Sequence, residues 1–590
     1  MVNVFVEPIE LTIDVKNGET IHDGLERAGI HIETPCGGNG ICGSCRILAI
    51  EPYKISPTPN ENITSQESSK GLRLACIAYP ESDTTIRLET TYLYDKENSQ
   101  KQDKGEKILS VGISEKSNCN FNLDNKSNCN SNLDNKLNWS FNLDDKFNPN
   151  LNSPTKVNLY GIDNQKALGL AVDIGTTTLV IAIVSLINMK TLASASSLNP
   201  QVVHGHDVLS RINYSSTPNG LVKMSKLIRD KLNELIEEVC ESIGSKKDEI
   251  VDVVIGANTT MLQIAASIDP TPLGHLPFKA DIAGATIFPI NQFGLNVNKY
   301  ASVYLPPVLH AFVGSDISAG LLRCPEFFDD DKSVLYLDMG TNGEICLNVK
   351  GRRFATSTAA GPAFEGMGIS SGMRATNGAV ERVEVRDNKI IFHVIGSNPT
   401  DITQIKGLCG SGVIDLIAAL LTTKDLDQSG KLQLLTLPEH EEPHNLSLEN
   451  KMATIVKIES QLAFCYGENI YLTQKDIRQI QLAKGAVRTG IDLILQRGGV
   501  TCEMVDKVYI AGGFGNFLNP HNIEKIALLP KNCANKVFFC GNACIDGSIM
   551  LLTNVNARLF LESALHDIEH LQLADSPEFM NCFVKNLNFK

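Results

Sequence analysis

Four cysteines carry the most specific chemistry in the chain. Cys36, Cys42 and Cys45 lie in the run Pro35-Cys36-Gly37-Gly38-Asn39-Gly40-Ile41-Cys42-Gly43-Ser44-Cys45, and Cys76 follows in LACIAYP. Iron prefers thiolate, and a [2Fe–2S] unit takes four of them. Three from one tight loop and one from a distant segment meet that need. The glycines permit positive φ, so the loop can wrap an inorganic core and turn backbone N–H groups toward its sulfurs. Structural zinc and unligated thiols are the rivals. Zinc usually takes two C-x2-4-C knuckles, and only one such pair occurs in this frame.

The second chemistry is phosphate binding. Leu168–Val172 is an apolar run that enters Asp173-Ile174-Gly175-Thr176-Thr177-Thr178 and leaves through LVIAIVSL; Val334–Leu337 likewise enters Asp338-Met339-Gly340-Thr341-Asn342-Gly343-Glu344 and leaves through ICLNV. Each reads as strand, turn and strand. An Asp at the strand end can hold Mg²⁺ through water, while Thr hydroxyls and turn amides can bond phosphate oxygens. One such turn could be a plain hairpin, whereas two copies argue for a site. They resemble the two phosphate loops of the actin-like ATPase superfamily, which face each other across a cleft. Val508-Tyr509-Ile510-Ala511-Gly512-Gly513-Phe514-Gly515-Asn516 resembles that superfamily's adenosine motif and follows a helix-like stretch, Gln474–Gln496. No GxxxxGK[ST] run is present, so a P-loop is not indicated. Two further carboxylates are open to more than one reading. Glu344 either orients an attacking water or is a solvated strand residue. Asp316, in Gly314-Ser315-Asp316, either serves a metal or water or caps the helix ISAGLL.

These residues need elements to position them. Val2–Val6 and Leu11–Val15 read as a hairpin, Thr20–Gly29 as a helix, and Arg46–Ile50 and Ile86–Thr90 as strands. That order resembles the β-grasp ferredoxin fold, and the five-residue first gap resembles its adrenodoxin-like and bacterial variants. The predicted class is α+β and α/β multidomain: a ferredoxin-type domain over 1–93, an Asn-rich low-complexity linker over 94–165, and duplicated actin-like (ribonuclease-H-like) ATPase lobes over 166–590. Within the linker a ten-residue repeat runs from Ser117 to Lys146. Its composition cannot offset ordering entropy and predicts disorder, with a root-mean-square span of roughly 40–50 Å for about 70 residues.

Bulk properties narrow the partners. A net charge of −14 disfavours nucleic acid. No apolar run is long enough for a membrane helix and no secretory signal is visible, so a cytoplasmic protein is expected. Sixteen cysteines without export favour thiols and metal ligands over disulfides. The ten outside the head and linker (Cys240, Cys324, Cys346, Cys409, Cys465, Cys502, Cys533, Cys540, Cys544 and Cys582) are expected as buried thiols, and His204 and His206 as surface-loop or partner-contact residues.

A ferredoxin head joined to this ATPase resembles the reductive activators of corrinoid enzymes. The likeness extends to Asn199-Pro200-Gln201 with Gly205–Ile212, Gly256–Met261, Leu305–Pro307 with Gly314–Asp316, Ala360–Gly366, Gln481–Ala486 and Gly541–Ala543. It implies ATP-driven one-electron reduction of inactive Co(II) corrinoid to Co(I). The implied cofactors are a [2Fe–2S] cluster on Cys36, Cys42, Cys45 and Cys76, and ATP with Mg²⁺. Asp173, Asp338, Glu344 and Asp316 would do the catalytic work. Gly175, Thr176, Thr177, Thr178, Gly340, Thr341, Asn342, Gly343, Gly512, Gly513 and Gly515 would bind the nucleotide. The implied partners are a corrinoid-binding protein and a low-potential electron donor, with a homodimer left open. Some relatives carry a folded domain where this chain has its repeats. The alternatives are an activator of another low-potential dehydratase or reductase, and a redox-sensing nucleotide-binding module.

Overall fold

The computed structural model describes residues 2–7, 9–32, 34, 40, 45–50, 54–56, 63, 65–88, 92–94, 166–387, 389–396, 404–433, 454–458, 461–467, 470–512, 518–573 and 576–590. The decapeptide repeats, Cys36, Cys42, Gly513 and Gly515 lie outside them.

The head contains β1 (Val2–Glu7), β2 (Leu11–Val15), α1 (Ile21–Arg27), β3 (Ile30–Ile32), β4 (Arg46–Ala49), α2 (Ser65–Ser69), β5 (Leu72–Leu74), β6 (Thr84–Leu88) and β7 (Tyr92–Tyr94). Alternation buries Val4, Val6, Ile13 and Val15 on one face of the first hairpin. The sheet order is β2-β1-β6-β4-β5, with β1 parallel to β6 and the remaining pairs antiparallel. Helix α1 starts in a capping box between Thr20 and Asp23, and it lays Ile21 and Leu25 on the same core.

The body holds two six-stranded sheets. The first uses β8 (Leu168–Ile174), β9 (Thr178–Ser185), β10 (Thr191–Leu198), β11 (Ile250–Ala257), β12 (Thr286–Pro289) and β13 (Ser302–Leu305), with helices α3 (Val208–Ser215), α4 (Gly220–Ser242), α5 (Thr259–Ala265) and α6 (Ser315–Leu321). The second uses β14 (Ser333–Met339), β15 (Gly343–Val349), β16 (Arg352–Thr358), β23 (Lys507–Ala511), β24 (Val537–Gly541) and β25 (Glu569–His570). Between β16 and β23 come β17 (Ala379–Arg386), β18 (Lys389–Val394), β19 (Gly407–Leu408), α7 (Gly410–Thr423), β20 (Thr454–Ile458), β21 (Gln461–Gly467), β22 (Ile470–Thr473) and α8 (Gln474–Gly498). Around and after them lie α9 (Pro520–Lys525), α10 (Ala543–Thr553), α11 (Val555–Ala564) and α12 (Phe579–Asn586).

The sheet orders are β10-β9-β8-β11-β13-β12 and β24-β23-β14-β15-β16-β25. Read from the third strand of each hairpin set, β10-β9-β8-β11-β13 and β16-β15-β14-β23-β24 are the same arrangement. In both, antiparallel hairpins are followed by parallel additions. The lobes are therefore a structural duplication. Strands β8 and β14 are buried nearly throughout, as parallel strands covered on both faces must be.

The chain returns from the second sheet to lock the first. Helix α10 packs on β8, β11 and α6, and a core containing Ala171, Val254, Tyr336, Tyr509, Ala543 and Leu551 spans the junction. Beyond it, Arg558 of α11 donates to Asp252 of β11 (2.7 Å), covers the Tyr304 ring at 4.6 Å, and is nearly buried. Tyr304 in turn donates to Glu562 at 2.9 Å.

The head seats on the first lobe. Thr34 N and Oγ1 both donate to Val203 O at 3.1 Å, and Lys223 of α4 pairs with Glu26 of α1. Removing the Arg558 guanidinium leaves the half-buried Asp252 without its cation and uncovers the Tyr304 ring. Arg558→Ala should therefore lower body stability by about 2 kcal/mol, read as an earlier midpoint in urea denaturation.

Candidate active site

The two phosphate-loop candidates occupy the same place in the two repeats. Asp173 and Asp338 are each the penultimate residue of the central strand, β8 and β14. Each turn is closed by backbone bonds: Gly175 N to Thr178 O at 2.9 Å, and Gly340 N to Asn342 O at 3.0 Å. The turns meet across the cleft, where the Thr177 and Thr341 hydroxyls are 3.2 Å apart. Thr341 also donates to Glu365 at 2.7 Å. The Gly512 turn joins them. Gly512 has φ +114°, and a Cβ there would lie 2.2 Å from Met339 O, so only glycine lets this turn approach β14.

Four carboxylates line the cleft. Asp173 accepts from Asn542 Nδ2 (2.7 Å) and Asp338 from the Tyr336 hydroxyl (3.0 Å). Asp316 sits in the first turn of α6, whose N-cap is Gly314, so the N-cap expectation for Asp316 is corrected. The helix begins two residues earlier, and its N-cap is a glycine because a side chain at 314 would clash with Ala257 O. Glu344 pairs in register with Asp338 across the β14–β15 hairpin and is buried. The solvated-strand alternative for Glu344 fails because β15 is covered on both faces.

Burial dominates the electrostatics. It pushes Asp173 and Asp338 up to about 6, against the bonds from Asn542 and Tyr336. Asp316 is pushed up to about 8, by burial first and then by Asp338 and Asp173. Glu344 is held well above the usual carboxylate range by burial, with Asp316 and Asp338 adding to it. Among the described residues no three such groups are close enough to chelate one ion directly. The arrangement fits a hydrated Mg²⁺, which retains several waters and takes few carboxylates.

Several residues that hold this geometry were visible only as parts of motifs. Asn199 donates to Gly175 O (2.8 Å), Asn258 to Thr176 Oγ1 (3.1 Å), and the fully buried Arg211 to Thr176 O. Glu365 and Asn542 belong with them. All five stand in segments marked by resemblance, and their types alone carried no signal.

In the head, Cys45 and Cys76 are buried with their sulfurs 3.2 Å apart. Ala75 N donates to Cys45 O at 2.9 Å and fixes the two segments together. Two thiols brought together from distant segments suit a thiolate-ligated cluster; the other two predicted ligands, Cys36 and Cys42, fall outside the described residues. Elsewhere, Cys502 and Cys533 are buried side by side in the core of the second lobe. The loops flanking β23 and β24 bring them together, and no sequence spacing signals it. Cys240, Cys324, Cys346, Cys409 and Cys544 are buried thiols, while Cys465, Cys540 and Cys582 are half-buried. His204 is fully buried and stacks on Tyr214 at 4.2 Å, so its surface-loop expectation is corrected. Helix α3 folds back over the segment and covers it.

Known proteins share these parts in this order. Residues 4–81 match the 2Fe-2S iron-sulfur cluster binding domain, 168–325 the RACo middle region, and 332–590 the C-terminal domain of RACo, the ASKHA domain. The chain is 33% identical over 423 residues to the corrinoid activation enzyme RamQ of Eubacterium limosum, covering 71% of this chain and 70% of that protein. The chain belongs to the reductive activators of corrinoid proteins. It is also 23% identical over 457 residues to the [Co(II) methylated amine-specific corrinoid protein] reductase of Methanosarcina barkeri, covering 71% and 77% of the two chains. The solved reductive activator for corrinoid, iron-sulfur protein aligns with a TM-score of 0.64 and 28% identity, covering 100% of this chain and 98% of that one. The chain is thus a corrinoid activator with a [2Fe–2S] head and an ATP-binding ASKHA body. No helix among its described residues is long and apolar enough to cross a membrane.

In this activator Asp316 and Glu344 are raised far enough to hold protons near neutrality, and Asp173 and Asp338 take theirs up as pH falls toward 6, so a bound divalent cation would displace them. Cation binding therefore releases protons and weakens as pH falls. MgATP affinity should drop about tenfold between about pH 8 and about pH 6, across the values for Asp316, Asp173 and Asp338. Calorimetry in two buffers of different ionisation enthalpy would detect the proton release.

Proposed function

We propose that the chain uses ATP to drive one electron from its head to an inactive Co(II) corrinoid in a partner protein, returning the cobalt to Co(I). The observation that carries this is the meeting of Thr177 and Thr341 across duplicated lobes, in a chain whose head pairs Cys45 with Cys76. Nucleotide cleft and electron carrier share one polypeptide. The head's cluster, when bound, supplies a single electron at low potential.

Asp173 and Asp338 would hold Mg²⁺, which would neutralise phosphate charge. Turn amides and hydroxyls of Gly175–Thr178 and Gly340–Gly343 would receive the phosphates, and the run Gly512-Gly513-Phe514-Gly515 the adenosine. Asp316 and Glu344, with the most strongly raised carboxyls, position or deprotonate the attacking water. Closure of the two lobes on nucleotide is the hinge motion that this duplicated architecture permits.

ATP is needed because the cobalt couple lies below a typical ferredoxin cluster. A one-electron step uphill by about 60 mV loses a factor of about ten in equilibrium constant. Displacement of an axial ligand from Co(II) on binding would raise its potential, and nucleotide turnover would then release the complex. A low-potential donor refills the head, and the cytoplasm is the compartment this chemistry suits.

Three outcomes are expected. Co(I) yield in an anaerobic assay rises with MgATP, and equal yield without it would sink the coupling. Asp338→Asn should cut ATP turnover by about a hundredfold. Cys45→Ser should abolish cluster absorbance while leaving MgATP affinity intact. Activation of a dehydratase in place of a corrinoid protein would favour the alternative substrate class.

A further inference from the structure

The segment from Asn199 to Arg211 touches both functional parts of the molecule. On one side it holds the first phosphate loop. Asn199 N donates to Thr177 O (2.9 Å), Asn199 Nδ2 to Gly175 O (2.8 Å), and Arg211 Nη2 to Thr176 O. The remaining arms of Arg211 close the segment on itself, Nε to Gly205 O at 2.9 Å and Nη1 to Gln201 Oε1 at 3.1 Å. Asn199, Gln201 and Arg211 have no exposed surface. On the other side, Val203 O accepts both hydrogen bonds from Thr34, the residue that leads into the Pro35–Cys45 cluster loop. Lys223 and Glu26 add an ion pair beside it.

We infer that this strap couples nucleotide occupancy of the cleft to seating of the iron–sulfur head. The guanidinium of Arg211 is a rigid planar fork, and its donors are spent on the loop and on the strap together. Shifting one without the other would strand buried donors, which is costly. The phosphates press on Gly175–Thr178, so the loop carries the strap with it, and the strap carries the ledge under Thr34. Arg211 and Asn199 are positioning residues that act through the phosphate loop. Coupling of this kind is reciprocal: if nucleotide favours the seated head, the seated head tightens nucleotide by the same factor. The inference rests on the nucleotide-cleft reading.

The test uses the full chain and a variant that leaves every strap-to-loop bond in place. Lys223→Glu sets a carboxylate against Glu26 and unseats the head. MgATP should then bind about fivefold more weakly. In the wild type, MgATP should increase hydrogen-exchange protection over residues 20–34 of the head, and Lys223→Glu should abolish that increase. The charge swap Glu26→Lys/Lys223→Glu should restore both, which a merely structural role would not produce. Equal MgATP affinity in all three proteins, with exchange over 20–34 indifferent to nucleotide, would overturn the coupling alone. Failure of the wild type to bind MgATP at all would overturn the cleft reading, and the coupling with it.

Discussion

Four carboxylates drawn into one half-dry cleft are the constraint on which the rest of the structure depends. Desolvation is the larger cost of placing them there, and repulsion from neighbouring carboxylates adds to it at Asp316, Glu344 and Asp338. Asp173, Asp338, Asp316 and Glu344 are accordingly pushed toward protonation. Such a group is tolerable in a folded protein when a cation visits it, and it is useful when that cation arrives with a substrate. The scaffold around it is built to keep the four in place without neutralising them. Asn542 and the Tyr336 hydroxyl donate to two of them, and neither brings a charge.

The duplication explains how such a cleft arises. One strand–turn–strand unit presents a single Asp and a loop of amides and hydroxyls. Two copies of the same strand order, facing each other, set those loops hydroxyl to hydroxyl at Thr177 and Thr341. The return of α10 and α11 to the first sheet keeps the lobes in register. Because Asn542 caps α10 and also donates to Asp173, the inter-lobe packing and the site share a residue. Lobe motion and cleft chemistry are therefore not separable. The strap under Arg211 extends that logic to the head, since the same peptide that braces the first phosphate loop also receives Thr34.

Much of this was legible from residue order. Alternation in Val2–Val6 and Leu11–Val15 reads directly as a half-buried hairpin, and β1 and β2 fall there. The two Asp-containing turns read as a matched strand–turn–strand pair because an apolar run, an Asp, a glycine and a hydroxyl recur at the same spacing, and they fall at the same place in the two sheets. Helix α8 begins at Gln474, where a Thr473–Asp476 capping box marks its start. Other features were not legible. Asp316 read equally as a metal or water residue and as an N-cap, and only the fold shows the helix capped two residues earlier, at Gly314. Glu344 looked as solvated as any alternate strand residue, because burial on both faces of β15 is a property of the layers above and below it.

Sequence by itself determined the kinds of domain: a [2Fe–2S] head signalled by cysteines in a glycine-rich loop, and an ATP-binding body signalled by paired Asp-x-Gly-Thr turns. Those depend on residue type and short spacing, which local sterics translate into turns and strands. Tertiary structure alone decided which groups meet. The raised carboxyls of Asp316 and Glu344, the burial of Arg211 and His204, the meeting of Cys502 with Cys533 and the Thr34–Val203 contact all depend on residues far apart in the chain. Burial and long-range proximity are collective results of packing, and no local pattern encodes them.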